Sequence, residues 1–234
     1  MKVLLGMTGS VASVLIPKLA KAFLDAGHDV QIVASEAALY FYRPEKIDKK
    51  LKRQQERDPN KLAPAKCWSE VRVWTDEDEW FRSRHVKIVR HFDRYAEQAH
   101  QKDDPVLHIN LRKWADMFVV APLSADTLAK MSVGKCDNLL TCVFRAWDFD
   151  KPVVLAPAMN SFMWSNPWTN MQMNILSNVK GPNVQGPSGG RNVHFIDPQS
   201  KVLACGDEGI GAMADISTIV DVVNGLDETQ PKAD

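Results

Sequence analysis

The stretch that decides the fold is MKVLLGMTGSVASVLIPKLAKAFLDAG, residues 1–27. It begins with a short apolar run at 2–7, which predicts a buried strand, and the chain then turns at Gly9 and Ser10. Beyond the turn, apolar residues recur at helical spacing up to Gly27, a typical helix end. The segment therefore predicts a strand, a tight turn and a helix, which is the repeating unit of parallel α/β sheets.

The same order recurs along the chain. Strands are predicted at HDVQIVA (28–34), ADMFVVAP (115–122) and KPVVLAP (151–157), each followed by a helical pattern, and a last helix at 216–225. We therefore expect one α/β domain, residues 1–226, with a doubly wound parallel sheet in a flavodoxin-like or Rossmann-like three-layer sandwich. In such folds the ligand binds beyond the carboxyl ends of the strands.

Four stretches fall outside this pattern. Residues 43–66 and 81–104 are rich in charge and predict surface insertions, while the Gly- and Pro-rich region 181–205 predicts a flexible flap. Residues 227–234 predict a disordered tail.

Composition excludes several classes of function. Lys plus Arg and Asp plus Glu both count 29, so no overall charge favours nucleic acid or anionic lipid. The four cysteines, Cys67, Cys136, Cys142 and Cys205, form no C-x-x-C pair, which argues against a metal site and a disulfide framework. No apolar run approaches the roughly 20 residues that cross a bilayer, so we expect a cytoplasmic protein without a membrane partner.

Polar residues follow the predicted strands where a ligand would lie. The turn at 8–11 can offer backbone N–H groups to a phosphate, although it lacks both G-x-G-x-x-G and the P-loop pattern. Ser124 and Thr127 follow a second strand. A single polar turn often has no role beyond reversing the chain. Two polar turns at the ends of adjacent strands suggest a mononucleotide cofactor.

Three further residues have both a structural and a functional interpretation. Asn160 can cap a helix or hydrogen-bond a ligand carboxylate. His108 can be a structural side chain or a base near neutral pH. Cys205 can be a buried inert thiol or a proton donor over a bound cofactor.

Six segments in order resemble the homo-oligomeric flavin-containing cysteine decarboxylases, and among them the plant and animal branch that acts on phosphopantothenoylcysteine. The segments are GSVA (9–12), LHINLRKWAD (107–116), APLSADTLAK (121–130), CDNLLTCVFRAWD (136–148), PAMNSFMW (157–164) and LACGDEGIGAMAD (204–215). The resemblance implies an FMN cofactor. The residues expected to bind it are Gly9, Ser10, Val11, Ala34, Ser35, Ser124, Ala125, Asp126, Thr127 and Ala158.

The resemblance also implies an activity, a lyase reaction in coenzyme A biosynthesis. The cysteinyl end of 4′-phospho-N-pantothenoylcysteine would be oxidised to a thioaldehyde, lose carbon dioxide as an enethiolate, and be reduced again to 4′-phosphopantetheine. His108 and Cys205 would be the catalytic base and proton donor. The residues expected to contact substrate are Asn160, Met163, Ala204 and Met213.

Family members assemble as homotrimers with active sites between subunits, which the resemblance implies here too. The apolar segment 136–148 would then be buried either in the core or, as the resemblance favours, in a subunit interface. An alternative is a regulatory subunit of this fold that inhibits a protein phosphatase. A third possibility keeps the flavin but changes the substrate, as in peptide-cysteine decarboxylases or flavin prenyltransferases.

Overall fold

Five stretches of the chain are described by the structure, a computed structural model. They are residues 1–42, 71–80, 106–179, 192–202 and 208–229. Both predicted insertions, 43–66 and 81–104, lie outside the described residues. So do 181–191 and 203–205 of the predicted flap and 230–234 of the predicted tail.

A parallel sheet of six strands forms the centre of the described structure. Its strand order is β3-β2-β1-β4-β5-β6, and each neighbouring pair runs parallel. The order reverses between β1 and β4, which makes the sheet doubly wound and confirms the predicted fold class. The strands are β1 Lys2–Met7, β2 Asp29–Ala34, β3 Val73–Trp74, β4 Met117–Leu123, β5 Val153–Pro157 and β6 Val193–Phe195.

Helices cover both faces of this sheet, and an antiparallel hairpin, β7 Gln199–Val202 with β8 Glu208–Ala212, stands apart from it. No helix in the described part of the chain has the length and apolar character needed to cross a bilayer. The helices are a 3₁₀ helix Val11–Leu15, α1 Ile16–Asp25, α2 Glu36–Phe41, α3 Asp76–Trp80, α4 Leu107–Trp114, α5 Ala125–Ser132, α6 Leu139–Arg145, α7 Ser161–Trp164, α8 Pro167–Ser177 and α9 Ile216–Thr229.

Alternate residues of the strands belong to two separate cores. Val3 and Leu5 pack with α1 and α9 on one face, where Phe23 is fully buried. Leu4 packs on the other face with α4, α5 and α6, where Phe118 is fully buried. Strands covered on both faces read as continuous apolar runs, which is why the sequence signal for β1 and β4 is strong. The sandwich therefore has three layers, as predicted.

The structure also corrects several expectations. The predicted flap contains two strands, β6 and β7, whose three or four residues are too short to give a periodic signal. The last helix continues through Thr229, so 227–229 are helical and not a disordered tail. The apolar part of segment 136–148, α6, is buried in the core of the chain itself, one of the two locations expected for it.

One buried hydroxyl joins the ends of the two central strands. Thr8 is fully buried just after β1, and its Oγ1 donates a hydrogen bond to the Pro122 carbonyl at 2.7 Å. The same oxygen accepts the Ser124 N–H at 2.8 Å. The Thr8 carbonyl in turn accepts the Ser13 hydroxyl at 2.7 Å. Thr8 therefore fixes the turn after β1 against the turn after β4.

Replacing Thr8 with Val should destabilise the fold without changing the shape of the side chain. The substitution leaves the Pro122 carbonyl and the Ser124 N–H without their buried partner, which costs about 1–3 kcal/mol. Thr8→Ser is the matched control, because it keeps the hydroxyl and loses only a methyl group. Urea unfolding followed by circular dichroism measures both variants. Equal loss of stability in the two would contradict the role of the hydroxyl.

Candidate active site

A cavity of about 620 Å³ opens at the carboxyl end of the sheet. Its size is within the usual range for small-molecule sites. Three parts of the described chain enclose it: the turn and first helices around 10–18, the turn at 158–160 after β5, and the hairpin strands with the residues that follow them, Gln199 and 211–217. It lies where a doubly wound sheet is expected to bind its ligand.

Five of the predicted site residues line this cavity. They come from three different junctions of the chain, so the fold brings together what the sequence separates by more than 200 residues. The five are Ser10, Val11, Ala158, Asn160 and Met213.

The first turn is shaped by a close approach between two backbone segments. Gly9 lies against α2, and a Cβ added to it would be 2.7 Å from the Cβ of Ala37. Ser10 then caps the 3₁₀ helix by accepting the Ala12 N–H at 3.4 Å. A glycine is therefore required here for packing, beside the wall formed by Ser10 and Val11.

Ala34 and Ser35 stand at the end of β2, next to this turn, but do not line the cavity. Ala34 is paired with Met7, and the Ser35 N–H donates to the Met7 carbonyl at 3.0 Å. Ser35 is the N-cap of α2, and its hydroxyl is buried without a hydrogen-bond partner among the described residues. A buried hydroxyl without a partner costs free energy unless a ligand completes it. The Ser35 hydroxyl is therefore available to a polar ligand group near the β1 and β2 ends.

The predicted cofactor residues 124–127 also lie outside the cavity. Ser124 caps α5, where its Oγ accepts the Thr127 N–H at 3.3 Å and contacts the Thr127 hydroxyl at 3.2 Å. Asp126 forms an exposed ion pair with Lys130 at 3.1 Å. Ala125 is the first residue of α5. The described contacts of these side chains are therefore those of a helix start.

The turn after β5 carries a side-chain amide whose oxygen is hydrogen-bonded and whose nitrogen is not, within the described residues. Asn160 caps α7, and its Oδ1 accepts the Met163 N–H at 2.8 Å. Its Nδ2 makes no hydrogen bond within the described residues, so two donors remain for a ligand such as a carboxylate. Met163 is exposed on α7 and does not line the cavity, whereas Ala158 is buried at its edge.

The hairpin closes the opposite side of the cavity through its backbone. The Met159 N–H donates to the Gly211 carbonyl at 3.0 Å, so β8 is held against the turn after β5. Gly211 has φ +146, and an added Cβ would be 2.1 Å from the Met159 carbonyl oxygen. Only glycine fits this contact.

Four polar residues of the cavity were missed from the sequence: Lys18, Gln199, Asp215 and Ser217. Gln199 donates from Nε2 to the Met213 carbonyl at 2.6 Å and to Asp215 Oδ1 at 3.1 Å. Both Gln199 and Asp215 line the cavity. A lone Gln after Asp-Pro, and an Asp before a helix, resemble ordinary turn and cap residues, so no sequence signal singles them out.

His108 lies elsewhere, in the first turn of α4, and does not line the cavity. Its Nδ1 is 2.5 Å from Glu79 Oε1, and its backbone N–H donates to Glu79 Oε2 at 3.0 Å. Glu79 belongs to α3, a helix that the sequence analysis placed in no site. The single chain therefore does not bring His108 beside Asn160.

A second carboxylate of α3 holds another helix start. Asp76 Oδ1 accepts the Leu139 N–H at the beginning of α6, at 2.6 Å. Burial raises the pKa of the Asp76 carboxyl, and the neighbouring carboxylates, Glu79 among them, act in the same direction. The helix α3 thus joins the starts of α4 and α6.

Ala204 and Cys205, predicted for substrate and catalysis, lie outside the described residues. Within the described residues, no cluster of three or more His, Cys, Asp or Glu side chains could hold a metal ion.

Comparison with known proteins places this fold in a family. A mouse protein named phosphopantothenoylcysteine decarboxylase is 38% identical, over 96% of this chain and 86% of its own. A solved structure described as a PPC decarboxylase mutant complexed with pantothenoylaminoethenethiol is 37% identical. It has a TM-score of 0.73 and covers 97% of this chain and 98% of its own.

A second solved structure, "The FMN binding protein AtHal3", is 36% identical, with a TM-score of 0.71 and 98% of each chain covered. The family model described as Flavoprotein matches residues 1–227. Because that match includes the sheet, the three segments around the cavity and the α3–α4 contact, this chain belongs to the Flavoprotein family.

Proposed function

We propose that this protein is an FMN-dependent lyase that decarboxylates 4′-phospho-N-pantothenoylcysteine to 4′-phosphopantetheine, a step of coenzyme A biosynthesis. The observation that carries the proposal is the likeness, across nearly the whole chain, to a decarboxylase structure complexed with pantothenoylaminoethenethiol. The named relative from mouse supports the same activity.

The residues near the β1 and β2 ends fit an FMN group. The buried Ser35 hydroxyl, which has no partner in the described part of the chain, and the Gly9 turn suit a phosphate-bearing ligand, with Ser10, Val11 and Ala158 on the adjoining cavity wall. Bound FMN supplies two-electron oxidation and reduction of the cysteinyl group. The protein's part is to bind, to orient and to move protons.

Asn160 and Met213 are the proposed substrate-binding residues in the described cavity. The two Nδ2 hydrogens of Asn160 can bind the substrate carboxylate and hold the Cα–carboxylate bond in a fixed direction. Met213 is buried in the cavity wall and supplies apolar contact. We place Met163 and Ala204 in the same role, on the family resemblance.

His108 is the proposed base for the substrate thiol, and Cys205 the proposed proton donor for the last step. Because His108 lies outside the cavity of its own chain, we propose that it serves the cavity of a neighbouring subunit in a homotrimer. In the same homotrimer, we also propose FMN contacts by four residues that lie outside the cavity of their own chain: Ser124, Ala125, Asp126 and Thr127. We also propose a cytoplasmic location.

An absorption spectrum and a turnover assay on the purified protein test the function. We expect a flavin spectrum, release of carbon dioxide from 4′-phospho-N-pantothenoylcysteine, and 4′-phosphopantetheine as product by mass spectrometry. A flavin-bound protein without turnover would favour a regulatory subunit, which inhibition of a protein phosphatase would then test. A protein that cannot take up FMN would contradict the proposal altogether.

Replacing Gly9 with Ala should weaken FMN binding. The added methyl would be 2.7 Å from the Ala37 Cβ, and neither methyl group can rotate away, so the turn must move from α2. We expect FMN to bind about tenfold more weakly, which corresponds to about 1.4 kcal/mol. Titration of the apoprotein by quenching of flavin fluorescence measures this change. Gly225→Ala is the control, since no atom lies within 4 Å of its added Cβ; equal weakening in both would sink the explanation.

Replacing His108 with Asn should abolish turnover but keep FMN. His108 is not among the proposed FMN contacts, and Asn is a smaller polar side chain, so flavin absorbance and oligomeric state should not change. Loss of a general base lowers the rate by about 10²–10⁴-fold. His194→Asn, on β6 and away from the cavity, is the control and should keep its turnover. Loss of flavin from the His108 variant would contradict the assignment.

A further inference from the structure

We infer that Glu79 is a positioning residue for His108: it holds the imidazole ring in the tautomer that leaves Nε2 free to accept a proton. The inference rests on the proposed function of His108 as the base. It concerns a residue of α3 that is 29 positions away in the sequence and meets His108 only in the folded chain.

Both oxygens of Glu79 are used by one residue. Oε1 is 2.5 Å from His108 Nδ1, and Oε2 accepts the His108 backbone N–H at 3.0 Å. A carboxylate is acceptor-only, so Nδ1 must be the protonated nitrogen of the ring. The backbone contact fixes the orientation of the carboxylate, and the carboxylate then fixes the ring.

The two side chains of this contact are buried to different extents. The Glu79 side chain is only 4% exposed, whereas the His108 side chain is 25% exposed. A buried carboxylate is costly unless hydrogen bonds satisfy it, and the two N–H groups of His108 do so. Nε2, on the opposite side of the ring, makes no hydrogen bond within the described residues. The pair therefore presents one ring nitrogen to its surroundings and buries the other.

This arrangement suits a base that accepts a proton from a thiol. The substrate S–H bond would break as an N–H bond forms at Nε2, and the electron pair would stay on sulfur. The ring would then carry a positive charge, which the Glu79 carboxylate balances across Nδ1. No other bond changes in this step.

Two titratable side chains near Glu79 in the described structure, Cys142 and Asp76, make no hydrogen bond to the His108 ring. Burial raises the pKa of the Cys142 thiol to about 11, and Cys136, Glu79 and Asp76 act in the same direction. Cys142 is therefore neutral near pH 7. Asp76, another carboxylate of α3, accepts the Leu139 N–H at 2.6 Å.

Glu79→Gln is the sharpest test, because an amide has one acceptor oxygen where the carboxylate has two. The backbone N–H of His108 is a fixed donor and must take that oxygen. The amide NH₂ then faces Nδ1, which can only accept, so the ring proton moves to Nε2. The variant keeps its size and contacts but selects the wrong tautomer.

Nitrogen-15 NMR of the full-length, FMN-loaded, histidine-labelled protein measures the tautomer directly. The His108 signals are assigned by their loss in His108→Asn. We expect protonated Nδ1 in the native protein and protonated Nε2 in Glu79→Gln. Turnover should fall by about 10²-fold or more with KM unchanged, as when a catalytic histidine is left in the wrong tautomer.

Two further variants separate positioning from simple stability. Asp76→Asn is the matched control on the same helix: its amide oxygen can still accept the Leu139 N–H, so tautomer and turnover should not change. Glu79→Asp keeps both acceptor oxygens on a shorter side chain and should restore the Nδ1–H tautomer with part of the turnover. The Glu79→Asp variant also tests the inference if the Gln variant fails to fold.

A Glu79→Gln protein that keeps the Nδ1–H tautomer, or that turns over like the native protein, would overturn the inference. Absence of turnover in the native protein would instead refute the proposed function. The NMR measurement would still decide whether Glu79 sets the tautomer.

Discussion

The Thr8 hydroxyl is the interaction on which the site geometry depends. It connects the end of β1 to the end of β4, where the strand order reverses, through Pro122 and Ser124. Strands covered on both faces are apolar at nearly every position, so the hydrophobic pattern alone does not set their register. A buried polar group with fixed hydrogen-bond partners sets that register. The Thr8 contact therefore fixes the position of the turn that leads into the cavity wall relative to the turn that leads into α5.

Much of the fold could be predicted because its signals are local. The apolar runs of β1, β2, β4 and β5 and the glycine after α1, Gly27 with φ +87, are readable one segment at a time. The short strands β3, β6 and β7 could not be read this way, because two to four residues carry no period. Their formation depends on neighbours: in the described structure β3 pairs with β2, and β6 pairs with β5.

The site was predictable in part, for the same reason. Polar residues at strand ends, such as Ser10 and Asn160, are visible in sequence because the fold rule says where strand ends meet. Glu79 was not, since its partner His108 is separated from it by a long stretch of chain and nothing in an acidic run identifies the carboxylate that meets the histidine. Ser124 also stands at a predicted strand end, but its described contacts are those of a helix cap, so its contact with FMN stays a proposal.

The Gly211 contact limits what comparison of related sequences can teach about specificity. Any side chain at this position would collide with the Met159 carbonyl, whatever molecule occupies the cavity. Invariance of this glycine among relatives would therefore record a backbone requirement and carry no information about substrate choice. Gln199 and Met213 are different, because they reach the same cavity with side chains that other residues could replace without a backbone collision. Divergence in substrate preference within this fold should therefore be sought in variation at those two positions.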